Sequence, residues 1–292
     1  MRIALESLED KLVLITGGSS GIGLALAHKV AAAGAHVWLF ARRLEQLEQA
    51  RLALREYPGR ANFVPVDVSN WSDVQEAISV VQREAGVPDL LISSAGVTHP
   101  GYVQDIPVEI FREMIEINYM GTVHVVKAVL PGMLKRRSGY IVNISSAAGF
   151  LGVFGYTAYG ASKFAVRGFT EALRAELKPE GIGVSLAIPP DTDTPQLAYE
   201  NRFKPHETKA LAGNAGLLSA ERVADEVLNG VRNGRYLILP GLETKVIYRL
   251  AGLVGGAVYP IMDYLIAAAR RGRTTAPKSD GGATDGRTAD TR

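Results

Sequence analysis

Tyr159 and Lys163 stand four residues apart in Tyr159-Gly-Ala-Ser-Lys163, near the start of a segment with helical character. That spacing puts both side chains on one helix face. A free phenol titrates near pH 10, about 3 units too high for proton exchange at neutral pH. An ammonium group beside it favours the phenolate and lowers that value, so Tyr159 is a candidate acid–base and Lys163 its activator. Lys163 can also bond the ribose hydroxyls of a nucleotide. Thirteen residues before the tyrosine ends the run Asn143-Ile-Ser145-Ser146, and a serine hydroxyl there can bond a carbonyl oxygen as it gains negative charge. Asn118, in Ile117-Asn118-Tyr119, can hold a water that links Lys163 to solvent. Taken together, these groups suit a carbonyl whose oxygen exchanges a proton while its carbon exchanges a hydride.

A hydride needs a carrier, and the N-terminal region provides for one. Thr16-Gly-Gly-Ser-Ser-Gly-Ile-Gly23 follows an apolar run and opens a helical pattern, with glycines at Gly17, Gly21 and Gly23. Such a loop turns tightly, brings bare backbone close to a pyrophosphate and aims a helix N-terminus at it. Ser19 and Ser20 add hydroxyl donors, and Ile22 opens the helix. Enzymes specific for NAD place an acid at the end of the second strand of such a fold. Here Phe40-Ala41 is followed by Arg42 and Arg43. A guanidinium pairs with a 2′-phosphate, which predicts NADPH as the cofactor, with Arg42 the first choice and Arg43 the second. Asp67 and Val68 can hold the adenine ring, the acid at its amino group and the valine on its face.

The elements that must position these residues alternate along the chain. Strands are predicted over Leu12–Ile15, Val37–Phe40, Phe63–Val66, Leu90–Ile92, Tyr140–Ile144, Val184–Ile188 and Tyr236–Leu239. Helices are predicted over Ile22–Ala33, Leu44–Glu56, Ser72–Glu84, Val108–Lys135, Ala158–Leu177 and Ala220–Asn233. This alternation implies an α/β fold: a Rossmann-type, doubly wound, parallel sheet of seven strands with ligands at the strands' C-terminal edge. Residues 1–240 read as one domain, with a long connection over 189–218 as a substrate lid.

Lys and Arg number 32 against 30 Asp and Glu, so bulk charge does not favour nucleic acid. The chain has no cysteine, which excludes thiolate metal sites and fits a reducing cytoplasm; no metal is expected. The first residues do not read as a secretory signal. An apolar segment over 241–271 includes twenty mostly apolar residues from Leu250 to Ala269. That length reaches the lower limit for a membrane span, but Gly255, Gly256, Pro260 and Asp263 argue against a clean one. Two readings stand equally: monotopic membrane contact through 245–271 or a helical hairpin dipping into one leaflet, against packing on the domain or on a second subunit. The polar tail over 272–292 reads as disordered.

The glycine loop, Asn118, Ser146 and Tyr159-x-x-x-Lys163, in this order, resemble the short-chain dehydrogenase/reductases over roughly residues 8 to 240. The resemblance implies that Ser146 rather than Ser145 polarises the carbonyl. It implies that Ala95, Gly96, Pro189, Thr192 and Thr194 touch the cofactor, with Thr194 at the nicotinamide carboxamide. It also implies a homodimer or homotetramer. Two departures stand out: Ser93 and Ser94 replace a usual pair of asparagines, and Pro190 replaces a usual glycine. The run Pro189-Pro-Asp-Thr-Asp-Thr-Pro195, with Glu200-Asn-Arg202 and Lys204-Pro-His-Glu-Thr208, is similar to the 3-ketodihydrosphingosine reductases, as are Gly152-Val-Phe-Gly155 and Ala165-Val-Arg-Gly168. That similarity implies NADPH-dependent reduction of 3-ketosphinganine at the cytosolic face of a membrane. Other lipid ketones (3-ketoacyl thioesters, steroids) and a non-catalytic NADP-binding scaffold are the competing readings.

Overall fold

The computed structural model describes residues 3–212 and 217–274. Seven parallel strands form one sheet: β1 (Leu12–Thr16), β2 (His36–Ala41), β3 (Ala61–Pro65), β4 (Leu90–Ser93), β5 (Gly139–Ile144), β6 (Ile182–Ala187) and, last in the chain, β9 (Leu237–Ile238). Their spatial order is β3-β2-β1-β4-β5-β6-β9. The chain runs outward from β1 in both directions, so the crevice at the C-terminal ends of β1 and β4 is the topological switch point, where ligands bind in such sheets.

Alternation along each strand feeds two cores. Val13, Ile15, Val37 and Leu39 point to one face, under α1 (Gly21–Ala32), α2 (Leu44–Ala53) and α9 (Ala220–Arg232). Leu12, Leu14, Trp38 and Phe40 point to the other, under α3 (Trp71–Glu84), α5 (Gly121–Arg136) and α6 (Thr157–Leu177). Strands covered on both faces read as continuous apolar runs, which is why they stand out in the sequence. β3 lies one to two residues earlier than its apolar run predicts. It is a half-exposed edge strand, so its limits follow the pairing from Val37↔Ala61 to Ala41↔Pro65 rather than burial.

Three further differences bear on the site. The helix predicted over Val108–Lys135 is α4 (Val108–Met114), a π-helical stretch over Ile115–Met120, and α5. The connection over 189–218 is built rather than open. It holds β7 (Thr192–Asp193), α7 (Pro195–Glu200) and α8 (His206–Ala212), and β7 pairs in parallel with β8 (Leu218–Ser219). Residues 213–216 of it lie outside the described part.

The apolar C-terminal segment is long and apolar enough, by length and composition, to cross a membrane. It breaks at Gly255, where φ is +52°, into α10 (Leu242–Val254) and α11 (Val258–Thr274). One foot rests on α9 through Lys245 Nζ to Glu226 (2.8 Å) and the other on the lid through Arg270 Nε to Glu207 (3.0 Å). Between them Leu250, Leu253, Tyr259, Ile261 and Tyr264 are exposed. The predicted disordered tail over 272–292 lies outside the described residues beyond Thr274, where α11 ends.

Candidate active site

The glycine turn leaves β1 in a conformation that side chains oppose. Gly17 has φ +67°, and a Cβ there would meet Ala95 Cα at 2.9 Å. A Cβ on Gly23 would lie 2.2 Å from the Gly17 carbonyl oxygen, and one on Gly21 would meet the Thr194 methyl at 3.2 Å. The bare backbone therefore leaves a cradle at the N-terminus of α1 that any side chain would fill. Ser20 occupies the cap position of that helix without a side-chain bond to it. The turn after β4 is tied to the same loop: Ser94 N and Ala95 N both donate to Thr16 Oγ1 at 3.1 Å. This bonding is main-chain, so serines in place of asparagines cost the turn nothing there. The Ser93 hydroxyl is buried and finds no partner among the described residues.

Two adjoining cavities share Gly17 and Gly96. One is lined by Ser19, Arg42, Arg43, Asp67, Val68 and Ala95. Both arginines there are exposed, and neither forms an ion pair among the described residues. Asp67 Oδ1 accepts from Ser69 N and Oγ at 3.0 and 2.7 Å, which fixes its carboxylate at the cavity edge. The other cavity is lined by Ser20, Gly21, Ile22 and Gly23 at one end and by Ser146, Tyr159 and Lys163 at the other. Pro189, Thr192 and Thr194 close its side. All the residues expected to hold a cofactor thus line these two adjoining cavities at the switch point. Thr194 also caps α7, accepting from Leu197 N at 3.3 Å.

Tyr159 and Lys163 share a helix face, with Lys163 Nζ 5.7 Å from the phenol ring centre. Lys163 Nζ donates to the Ile144 carbonyl at 3.1 Å, and burial pulls its pKa down to about 8. The two adjacent serines take different parts. Ser145 Oγ donates to the Lys163 carbonyl at 3.0 Å and is buried, which joins β5 to α6. The Ser146 hydroxyl faces that of Tyr159 and favours its ionisation, as does the Gln196 side chain. Asn118 is fully buried. Its amide donates to Val97 O (3.0 Å) and Ser162 Oγ (2.9 Å), and its Oδ1 accepts from Val97 N (2.8 Å). With both amide hydrogens committed, one lone pair on Oδ1 is what remains for a water. The π-helical stretch widens the helix at this residue, a distortion that recurs at functional sites.

One expectation is reversed. The pKa of Tyr159 is held above that of an ordinary phenol, not below it. Burial is the largest cause and the Glu200 carboxylate the next, and Lys163 does not override them. Glu200 reaches the site on the lid: its Oε2 accepts from Tyr156 OH at 2.5 Å, and its Oε1 accepts from Gln196 Nε2 at 3.3 Å. Sequence reasoning placed neither Gln196 nor Glu200 in the site. The only signal was their position in the lid run, one turn apart on a helix too short to show periodicity.

Comparison with known proteins identifies the family. The family model described as short chain dehydrogenase matches residues 11–205. A 3-dehydrosphinganine reductase of Danio rerio is 41% identical over 229 residues, 77% of this chain and 69% of that one. A short chain dehydrogenase from Burkholderia phymatum, solved in complex with NAD, has a TM-score of 0.76 at 28% identity, covering 86% of this chain and 95% of that one. A short-chain dehydrogenase from Sphingobium yanoikuyae, in complex with NADPH, has a TM-score of 0.71 at 26% identity, covering 94% and 99%. The protein belongs to the short-chain dehydrogenase family of oxidoreductases.

Proposed function

We propose that the protein reduces the ketone of 3-ketosphinganine (3-dehydrosphinganine) to a secondary alcohol with NADPH. The observation that carries the chemistry is the meeting of Ser146, Tyr159 and Lys163 in the cavity that opens onto the glycine cradle. The substrate is supported by the relative from Danio rerio and by the lid run. When bound, a reduced nicotinamide supplies a hydride for the carbonyl carbon. The backbone amides from Gly17 to Gly23, with Ser19 and Ser20, would hold the pyrophosphate, Asp67 and Val68 the adenine, and Lys163 the ribose. The Ser146 hydroxyl donates to the carbonyl oxygen as its charge grows. Tyr159, kept protonated by burial, gives that oxygen its proton. Lys163, with a pKa near neutrality, is suited to return one to the phenolate.

The reading is tested by a substrate panel. The purified protein with NADPH should turn over 3-ketosphinganine above 3-ketoacyl thioesters and steroid ketones, and equal or lower turnover would refute the substrate. The cofactor preference rests on Arg42 and Arg43. Arg42→Ala should weaken NADPH about 30-fold in a fluorescence titration, the loss of one charge-assisted contact, and NADH by less than about threefold. Equal losses would take Arg42 out of that role.

The exposed apolar residues of α10 and α11 support contact with a membrane surface, where a long alkyl chain resides. Leu250→Glu with Leu253→Glu should reduce co-flotation with phosphatidylcholine vesicles at least about tenfold, since each buried CH₂ contributes about 0.8 kcal/mol. Unchanged flotation would assign this face to protein contacts instead.

A further inference from the structure

The lid sets two acids, Asp191 and Glu200, in the wall of the reaction cavity, with Lys204 against both. Lys204 Nζ lies 2.9 Å from Asp191 Oδ2 and 3.5 Å from Glu200 Oε2. The side chains of Lys204 and Glu200 are 3% and 8% exposed. Two acids thus face one lysine, which sits closer to the half-exposed Asp191 than to the buried Glu200. One negative charge is left over, and it resides in a place where an uncompensated charge is costly.

The bonding of Glu200 shows where that charge is available. Its Oε2 takes the short bond from Tyr156 and the lysine contact. Among the described residues its Oε1 takes a single long bond, 3.3 Å from Gln196. A carboxylate has about four lone-pair sites, so Oε1 has capacity for a strong donor. Gln196 approaches both Oε1 and the Tyr159 hydroxyl, which places this oxygen beside the reacting ketone.

3-Ketosphinganine carries an amine on C2, one bond from the carbonyl carbon that is reduced. A group so placed must lie next to whatever surrounds the Tyr159 hydroxyl. We propose that Glu200 binds the C2 ammonium of the substrate and so selects a 2-amino ketone over a plain ketone. The assignment rests on the substrate reading above. It also gives the lid charge a purpose that an internal ion network would not: the substrate completes the neutralisation. The same carboxylate holds the Tyr159 proton in place, and a cation arriving against it would release that restraint when the proton is needed. A 3-ketoacyl thioester has no cation at this position and would leave the excess negative charge of the cluster uncompensated, which is discrimination by a buried charge that the wrong substrate does not answer.

The test compares two substrates: 3-ketosphinganine and the same 1-hydroxy-3-ketone chain lacking the amine, both with NADPH. The wild type should favour the amino ketone about 100-fold in kcat/KM. In Glu200→Gln, which keeps an acceptor for Tyr156, the preference should fall below about fivefold. A preference that survives Glu200→Gln overturns the assignment. So does equal turnover of the two ketones by the wild type, a measurement that stands even where the variant does not fold. Turnover of neither long-chain ketone would remove the substrate reading itself, and the assignment with it.

Discussion

Tyr159→Phe is expected to lower kcat about 10³-fold while cofactor affinity stays within about threefold of the wild type. The phenylalanine keeps the ring that packs 5.6 Å from that of Tyr156, so the fold around it stands. What is lost is the hydroxyl faced by Ser146 and Gln196 and, with it, the proton for the carbonyl oxygen. Lys163, the nearest other acid, has its Nζ on the Ile144 carbonyl and 5.7 Å from the ring centre, so it does not take the place of the hydroxyl. Steady-state turnover and a cofactor titration on the same preparation check both halves. Residual activity above about a tenth of the wild type would show that Tyr159 is not the proton donor, given the 10²–10⁴-fold range of such steps.

Gly23→Ala should abolish cofactor binding more thoroughly than any single charge change. The added methyl would sit 2.2 Å from the Gly17 carbonyl oxygen, and this is backbone, not the end of a side chain that could swing away. The loop must open by about an ångström, a misplacement that costs on the order of 10²-fold in a positioned site. Overpacking of this kind also destabilises by about 1–3 kcal/mol. The expected result is loss of NADPH affinity by at least about 10²-fold with a lower melting temperature, read by titration and by thermal unfolding. An alanine variant that binds as the wild type does would mean that the turn does not hold the pyrophosphate.

Much of this was legible in the sequence because it is local. Strands buried on both faces declare themselves as apolar runs, so β1, β2 and β5 fall within a residue of their predicted limits. The glycine turn and the Tyr159–Lys163 pair are short-range patterns whose geometry follows from spacing alone. The choice between Ser145 and Ser146 was different in kind. Both are hydroxyls at the end of one strand, and extended backbone sends them to opposite sides. Only the structure shows Ser145 committed to the Lys163 carbonyl. The π-helical stretch at Asn118 was invisible because it is marked by no unusual residue, and the partners of Asn118 there, Val97 and Ser162, lie far along the chain. The raised pKa of Tyr159 was missed for a similar reason. Spacing revealed the lysine one turn away, whereas the burial that dominates depends on the whole fold, and the carboxylate that adds to it arrives from forty-one residues downstream.

The two feet of the C-terminal segment constrain its topology. Lys245 is fastened to α9 and Arg270 to the lid, so the chain leaves the catalytic domain and returns to it. At about 1.5 Å per residue, α10 extends roughly 20 Å and α11 roughly 25 Å, each less than a bilayer's hydrocarbon thickness. On the proposed membrane reading, an arch with both piers on one body would dip into a lipid layer and emerge through the same leaflet. The sheet, the cleft and both ends of the arch would then share a single aqueous compartment, and an alkyl chain drawn up between the piers would arrive beside the lid.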